Sequence, residues 1–89
     1  MLNKVKLALR ITTDAFDSEI TDLISAACAD LGVVGVSASS DTTDALLTRA
    51  IITYCRLNFG SPDDYDRLKR SYDEQKAQLI TCTGYGLEA

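Results

Sequence analysis

The chain of 89 residues has no histidine, one proline, five glycines and an odd count of three cysteines. Each shortage closes off some chemistry. Proton-transfer catalysis at neutral pH usually recruits histidine, so an enzyme built on general acid–base steps is not expected. Cys28, Cys55 and Cys82 show no C-x-x-C spacing and, with no histidine to join them, make a poor zinc set. Gly32 and Gly35 in GVVG lack the lysine and the strand-to-helix setting of a phosphate-binding loop. The longest apolar run falls far short of a membrane span. Met1–Ile11 carries Lys4, Lys6 and Arg10 among apolar residues but lacks the long apolar core and cleavage site of a signal peptide. Repeats, linkers and low-complexity stretches are absent too. No catalytic residue, metal or cofactor is assigned, and no membrane partner. Two of the cysteines fall on apolar helical stripes, so the thiols read as buried and free, in a reducing cytosolic compartment.

Positive charge is also scarce. Nine Lys and Arg stand against thirteen Asp and Glu, for a net charge of −4. A free-standing nucleic-acid binder normally carries a basic face, which this balance argues against. It leaves room for a protein that surrounds DNA without gripping it. The charges are also sorted along the chain. From Thr12 to Asp44 there are acids (Asp14, Asp17, Glu19, Asp22, Asp30, Asp41 and Asp44) and no Lys or Arg, whereas Leu2–Arg10 has three basic residues and no acid. Such segregation suits either an ordinary solvated surface or an acidic face on one subunit meeting a basic face on the next. A head-to-tail contact of that kind closes into a ring if the rotation allows.

What the sequence does contain is helical periodicity. The organising stretch is Asp44–Phe59. Leu47, Ala50, Ile51, Tyr54 and Cys55 form one apolar stripe, and Ala45, Ile52 and Phe59 form a second. A helix apolar on most of its circumference is usually surrounded by partners. The first stripe is assigned to the bundle. The second, with Arg49 and Arg56 beside it, is the candidate subunit interface: Ala45, Arg49, Ile52, Arg56 and Phe59. Ile52→Asp is expected to abolish assembly while leaving helical content largely intact.

Around this helix the pattern predicts three more. Leu2–Arg10 places Leu2, Val5, Ala8 and Leu9 on one face. A second helix starts at Asp14 or Asp17, either of which can cap it, and Ile20, Leu23, Ile24, Ala27, Cys28 and Leu31 recur at helical spacing up to Gly32, a natural left-handed stop. Gly32–Ser40 reads as a loop, and 32–43 is the one long connection, with the cap of the central helix in Asp41–Asp44. Gly60 ends the central helix, Ser61 caps the last one and Pro62 opens it. That helix runs to about Ile80 with Tyr65, Leu68, Tyr72, Gln75 and Leu79 inward, and Asp66–Arg70, Arg70–Glu74 and Asp73–Lys76 pair on its wet side. The expected architecture is an all-α, small four-helix bundle over residues 1–80, with room for one short extra turn, followed by a C-terminal tail, 81–89.

The stretches MLNKVKLALRI, TTDAFDSEITDLISAACADLG, LLTRAIITYCRLNFG and SYDEQKAQL with its TGYG tail, in this order and spacing, resemble the phage head–tail connector (head-completion, or DNA-packaging adaptor) family. The resemblance runs from Met1 to about Gly86. It implies a small helical bundle that forms a ring beneath the portal protein of a tailed phage or prophage. The ring extends the DNA channel, closes the filled head and docks a downstream head-closure or tail protein, without catalysis or cofactor. It implies a virion protein of the head–tail junction, made in the bacterial host cytoplasm. Self-association and the portal and tail proteins are then the partners, and DNA passes through without specific binding. An acidic channel wall repels phosphates and lets a duplex slide. Asp14, Asp17, Asp22, Asp30 and Asp41 are therefore candidates to face the channel or the neighbour, and Tyr85 in the tail is a candidate anchor for a partner. The sequence departs from the family in its three cysteines and its short, glycine-containing 32–43 loop.

Two other classes fit parts of the chain. A small acidic regulatory or DNA-binding module needs a basic recognition helix after a tight turn, and the helix richest in positive charge, from Pro62, is balanced by acids. An acyl-carrier-like protein would use Asp17-Ser18 for its prosthetic group. That pair comes early here and is followed by Glu19 rather than leucine, so Ser18 fits better as a first-turn residue.

Overall fold

The structure is a computed structural model that describes residues 1–38, 42, 44–59 and 63–81. Its elements are α1 (Leu2–Leu9), α2 (Asp17–Val33), α3 (Ala45–Asn58) and α4 (Tyr65–Thr81). The described residues hold no strand longer than an isolated bridge at Val36, so the fold is an all-α bundle.

α3 is the hub, and it packs against α1, α2 and α4. Leu47, Ala50, Ile51 and Cys55 are buried, with Tyr54 half-buried beside them, so the first stripe does face the bundle. They meet Val5 of α1, Ile20, Ile24, Ala27 and Leu31 of α2, and Tyr72 and Leu79 of α4 in one core. Burying a side chain the size of leucine or isoleucine is worth roughly 1.5–3 kcal/mol, so this shared core is the main favourable contribution to folding. The cap of α3 is Asp44, whose carboxylate accepts from the backbone N–H of Leu46 at 2.9 Å and of Leu47 at 3.2 Å.

Three helix ends depart from the sequence expectations, each for a local reason. α1 stops one residue early because Arg10 takes the left-handed conformation, with φ 59°. The Ile11 N–H then reaches back to the Lys6 carbonyl at 2.9 Å and the Arg10 N–H to that of Leu7 at 3.1 Å, a double cap. At the start of α2 neither Asp14 nor Asp17 caps through its side chain. Phe16 holds the cap position, and Lys6 draws both carboxylates away, to 3.0 and 2.8 Å from its Nζ. At the far end the helix runs through Gly32 and ends at Val33. Gly35, at φ 85°, is the left-handed stop, so the turn closes one helical turn later than Gly32 would give. The Val36 N–H bonds the Leu31 carbonyl at 3.0 Å, which delivers the Val36 side chain into the core.

The turn at Gly60, Ser61 and Pro62 lies outside the described residues. α4 begins at Tyr65, which is exposed rather than inward, while Leu68, Tyr72 and Leu79 are buried as the spacing indicates. Ala8 of α1 is likewise exposed. The expected wet-side pairs of α4 are replaced by others. Arg67 pairs with Asp64, Lys69 with Asp73 at 2.8 Å, and Lys76 crosses to Asp30 of α2 at 3.0 Å. Lys69 lies one full turn ahead of Asp73, and Asp30 offers Lys76 a less exposed partner than Asp73 does.

Candidate interaction surfaces

The second stripe of α3 divides in two. Ala45 and Arg49 are exposed, whereas Ile52 and Phe59 pack against the chain's own core and keep only part of their surface wet. Phe59 is covered by Phe16, edge to face, with ring centroids 5.5 Å apart. Arg56 is half-buried. Thr48, Thr53 and Leu57, between the two stripes, are buried as well, so α3 is enclosed further round than its apolar residues alone indicate. Thr53 passes unnoticed in the sequence because it is polar. Its hydroxyl donates to the Arg49 carbonyl at 2.9 Å, which lets it enter the interior.

The candidate acids are scattered, and three of them are engaged at home. Asp14 and Asp17 hold Lys6, and the two hydrogen bonds, Asp17 first, raise the lysine's pKa. Asp30 accepts from the Tyr72 hydroxyl at 2.5 Å and from Lys76 at 3.0 Å. Burial pushes the Asp30 carboxyl up, but those two hydrogen bonds and the Lys76 charge outweigh it and leave the pKa below its ordinary value. Tyr72 moves the other way, raised by burial and by the hydrogen bond it gives to a carboxylate. Lys76 also lies over the Tyr72 ring, 5.1 Å from its centre, and Tyr54 packs edge-on against it at 5.4 Å. This clasp joins α2 to α4. Asp22 is exposed and makes no ion pair among the described residues. Asp41 and Tyr85 lie outside the described residues.

Cys28 is half-buried and Cys55 fully so, and both are free thiols. Burial raises the pKa of each; that of Cys55, with a smaller contribution from Cys28, is pushed to about 12. Cys82 lies outside the described residues. Among the described residues no three potential metal ligands converge, and no helix is long and apolar enough to cross a membrane.

Sequence reasoning missed the outer face of α1. Leu7 is 79 % exposed, beside a shallow groove of about 370 Å³ lined by Asn3, Lys6, Leu7, Ile11 and Thr12. The signal was available: Leu7 is the long apolar residue of α1 that does not share the face of Leu2, Val5 and Leu9.

A helical bundle with contact surfaces and no converging reactive groups among its described residues matches one family model. That model, described as phage connector protein, matches residues 1–86. The chain belongs to the phage connector family. No curated protein and no solved structure matches it. For a connector, a structural part of a phage, the surfaces that count are those that meet other proteins. The described candidates are the exposed part of the α3 stripe, the free acids of α2 and the α1 groove.

Proposed function

We propose that this connector forms a ring beneath the portal of a tailed phage or prophage. There it extends the DNA channel, closes the filled head and docks a head-closure or tail protein. The family match over residues 1–86 carries this proposal. The charge supports it: a net −4 suits a wall past which a duplex slides without being held. Of the acids assigned to the channel or the neighbour, Asp22 is the described one with no partner at home among the described residues. The exposed Ala45 and Arg49 of α3 are proposed contacts to a neighbouring subunit, and Tyr85 a proposed anchor for a partner. Its place is the head–tail junction of the virion, after synthesis in the host cytoplasm.

Particles assembled without this protein test the proposal. They are expected to package DNA and then leak it, or to fail to take tails. Particles that keep their genome and become infectious without it would overturn the role.

A further inference from the structure

α1 presents a cationic, apolar-centred surface that its own chain leaves uncovered. Lys4 and Arg10 are exposed, and neither forms an ion pair among the described residues. They lie either side of Leu7, six residues or roughly 9 Å apart along the chain, and Leu7 stands 79 % exposed at the edge of the groove floored by Ile11. The outward face of α2 is its chemical opposite. Ser18, Asp22, Ser25 and Ala29 are all exposed and recur at helical spacing, with Glu19 beside them. Small side chains on a helix let another helix approach closely, and Glu19 and Asp22, both unpaired among the described residues, supply the charge that Lys4 and Arg10 lack.

We infer that the Leu7 groove of one copy docks on the Ser18–Ala29 face of α2 in the next copy, with Lys4 and Arg10 set against Glu19 and Asp22. This rests on the connector proposal, in which copies stand side by side, and it names the surfaces they share. The contact is head-to-tail: each copy offers an apolar groove flanked by Lys4 and Arg10 and, on a different helix, an acidic ridge, an arrangement that closes into a ring where the rotation allows. It moves the main subunit contact from α3 to α1 and α2, because Ile52 and Phe59 of the α3 stripe are partly occupied by their own core. Leu7 buries apolar area, and the charges fix the register and deter unlike partners.

Two double variants test the pairing. One carries Lys4→Glu with Arg10→Glu, and the other Glu19→Lys with Asp22→Lys. Wild-type protein at high concentration in low salt should associate, and the association constant should fall at least tenfold near 1 M salt, where the screening length is about 3 Å. Each double variant alone should stay monomeric in sedimentation velocity with unchanged helical content. An equimolar mixture of the two should associate again, because every groove then meets a ridge of opposite sign. Leu7→Gln, which keeps helix propensity at an exposed position, should weaken association tenfold or more with little change in melting temperature. A wild-type chain that is monomeric up to its solubility limit, or a mixture no more associated than its components, overturns the pairing. Complementation separates this from the connector role. If particles lacking the protein fail and either double variant alone restores them fully, the pairing falls and the role stands. If particles lacking the protein are normal, the role itself falls.

Discussion

Thr48 sits buried in α3 with a hydroxyl that finds no hydrogen-bond partner among the described residues. An orphaned hydroxyl inside a protein costs about 1 kcal/mol or more, and a methyl of the same size does not. Thr48→Val is therefore expected to stabilise the bundle by about 1 kcal/mol, read as a rise of roughly 4–8 °C in melting temperature. Gly35 points the other way. Nothing would crowd a Cβ there, but its φ of 85° strains any L residue, so Gly35→Ala should lower stability by about 1 kcal/mol in a denaturant titration. Ile52→Asp is less clean than the sequence suggests. Because Ile52 packs against the core of its own chain, the aspartate should cost roughly 2 kcal/mol of stability before any contact between copies is tested. Arg49→Glu, on the exposed part of the same helix, probes the surface of α3 without that penalty. At this scale the sequence was legible wherever side chain and environment agreed in polarity. Thr48, Thr53 and Leu7 escaped because each sits in surroundings opposite to its chemistry.

α3 and the clasp set the behaviour of the helices. Ile51 is fully buried in the middle of α3, the helix that touches the other three. Ile51→Ala should cost about 2–5 kcal/mol, enough to populate the unfolded state of a domain with roughly 5–10 kcal/mol in all, as circular dichroism on heating would show. The clasp adds a pH dependence. The Asp30 pKa is lowered on folding from an ordinary 3.8, so its contribution is fully present above that value and is lost as pH falls through the folded-state pKa. Asp30→Asn should flatten the acid limb of the stability curve, and Tyr72→Phe, which removes one of the two donors, should lower neutral stability by about 1 kcal/mol. Helix number and order were legible from spacing alone among the described residues, because an apolar residue every three or four positions lines one face of a helix, although Ala8 and Tyr65, both assigned to such stripes, stay exposed. The ends were not. Whether Asp17 caps α2 or serves Lys6, and whether Gly32 or Gly35 takes the left-handed turn, depends on neighbours brought close by folding. The clasp was equally hidden: it joins residues more than forty positions apart.

Across the whole molecule, the absence of histidine means that no side chain with an ordinary pKa near neutrality can titrate there. Lys6 and Lys69 have pKa values raised by their carboxylate partners, so what they contribute is present below 10.5 and lost only in strong alkali. Stability should be level from about pH 5 to about pH 9, falling in acid as Asp30 is protonated and in alkali as the unfolded chain's thiols and then the paired lysines lose protons, as chemical denaturation across pH would reveal. The sorting of charge was visible in the sequence, but its use was not. Folding returns Lys6 to Asp14 and Asp17 and Lys76 to Asp30, and only what remains is available to other molecules.

The sealed thiol of Cys55 bears on how a phage component withstands oxidation. A phage leaves a reducing cell for air and water, where cysteines meet peroxide and stray disulfides. The species that reacts is the thiolate, and a Cys55 whose pKa stands near 12 supplies almost none of it. Ellman's reagent should reach Cys55 only after the chain is denatured. Around α2 and α3, Cys28 and Cys55 stay free thiols, and the covalent structure there holds for as long as the core stays closed.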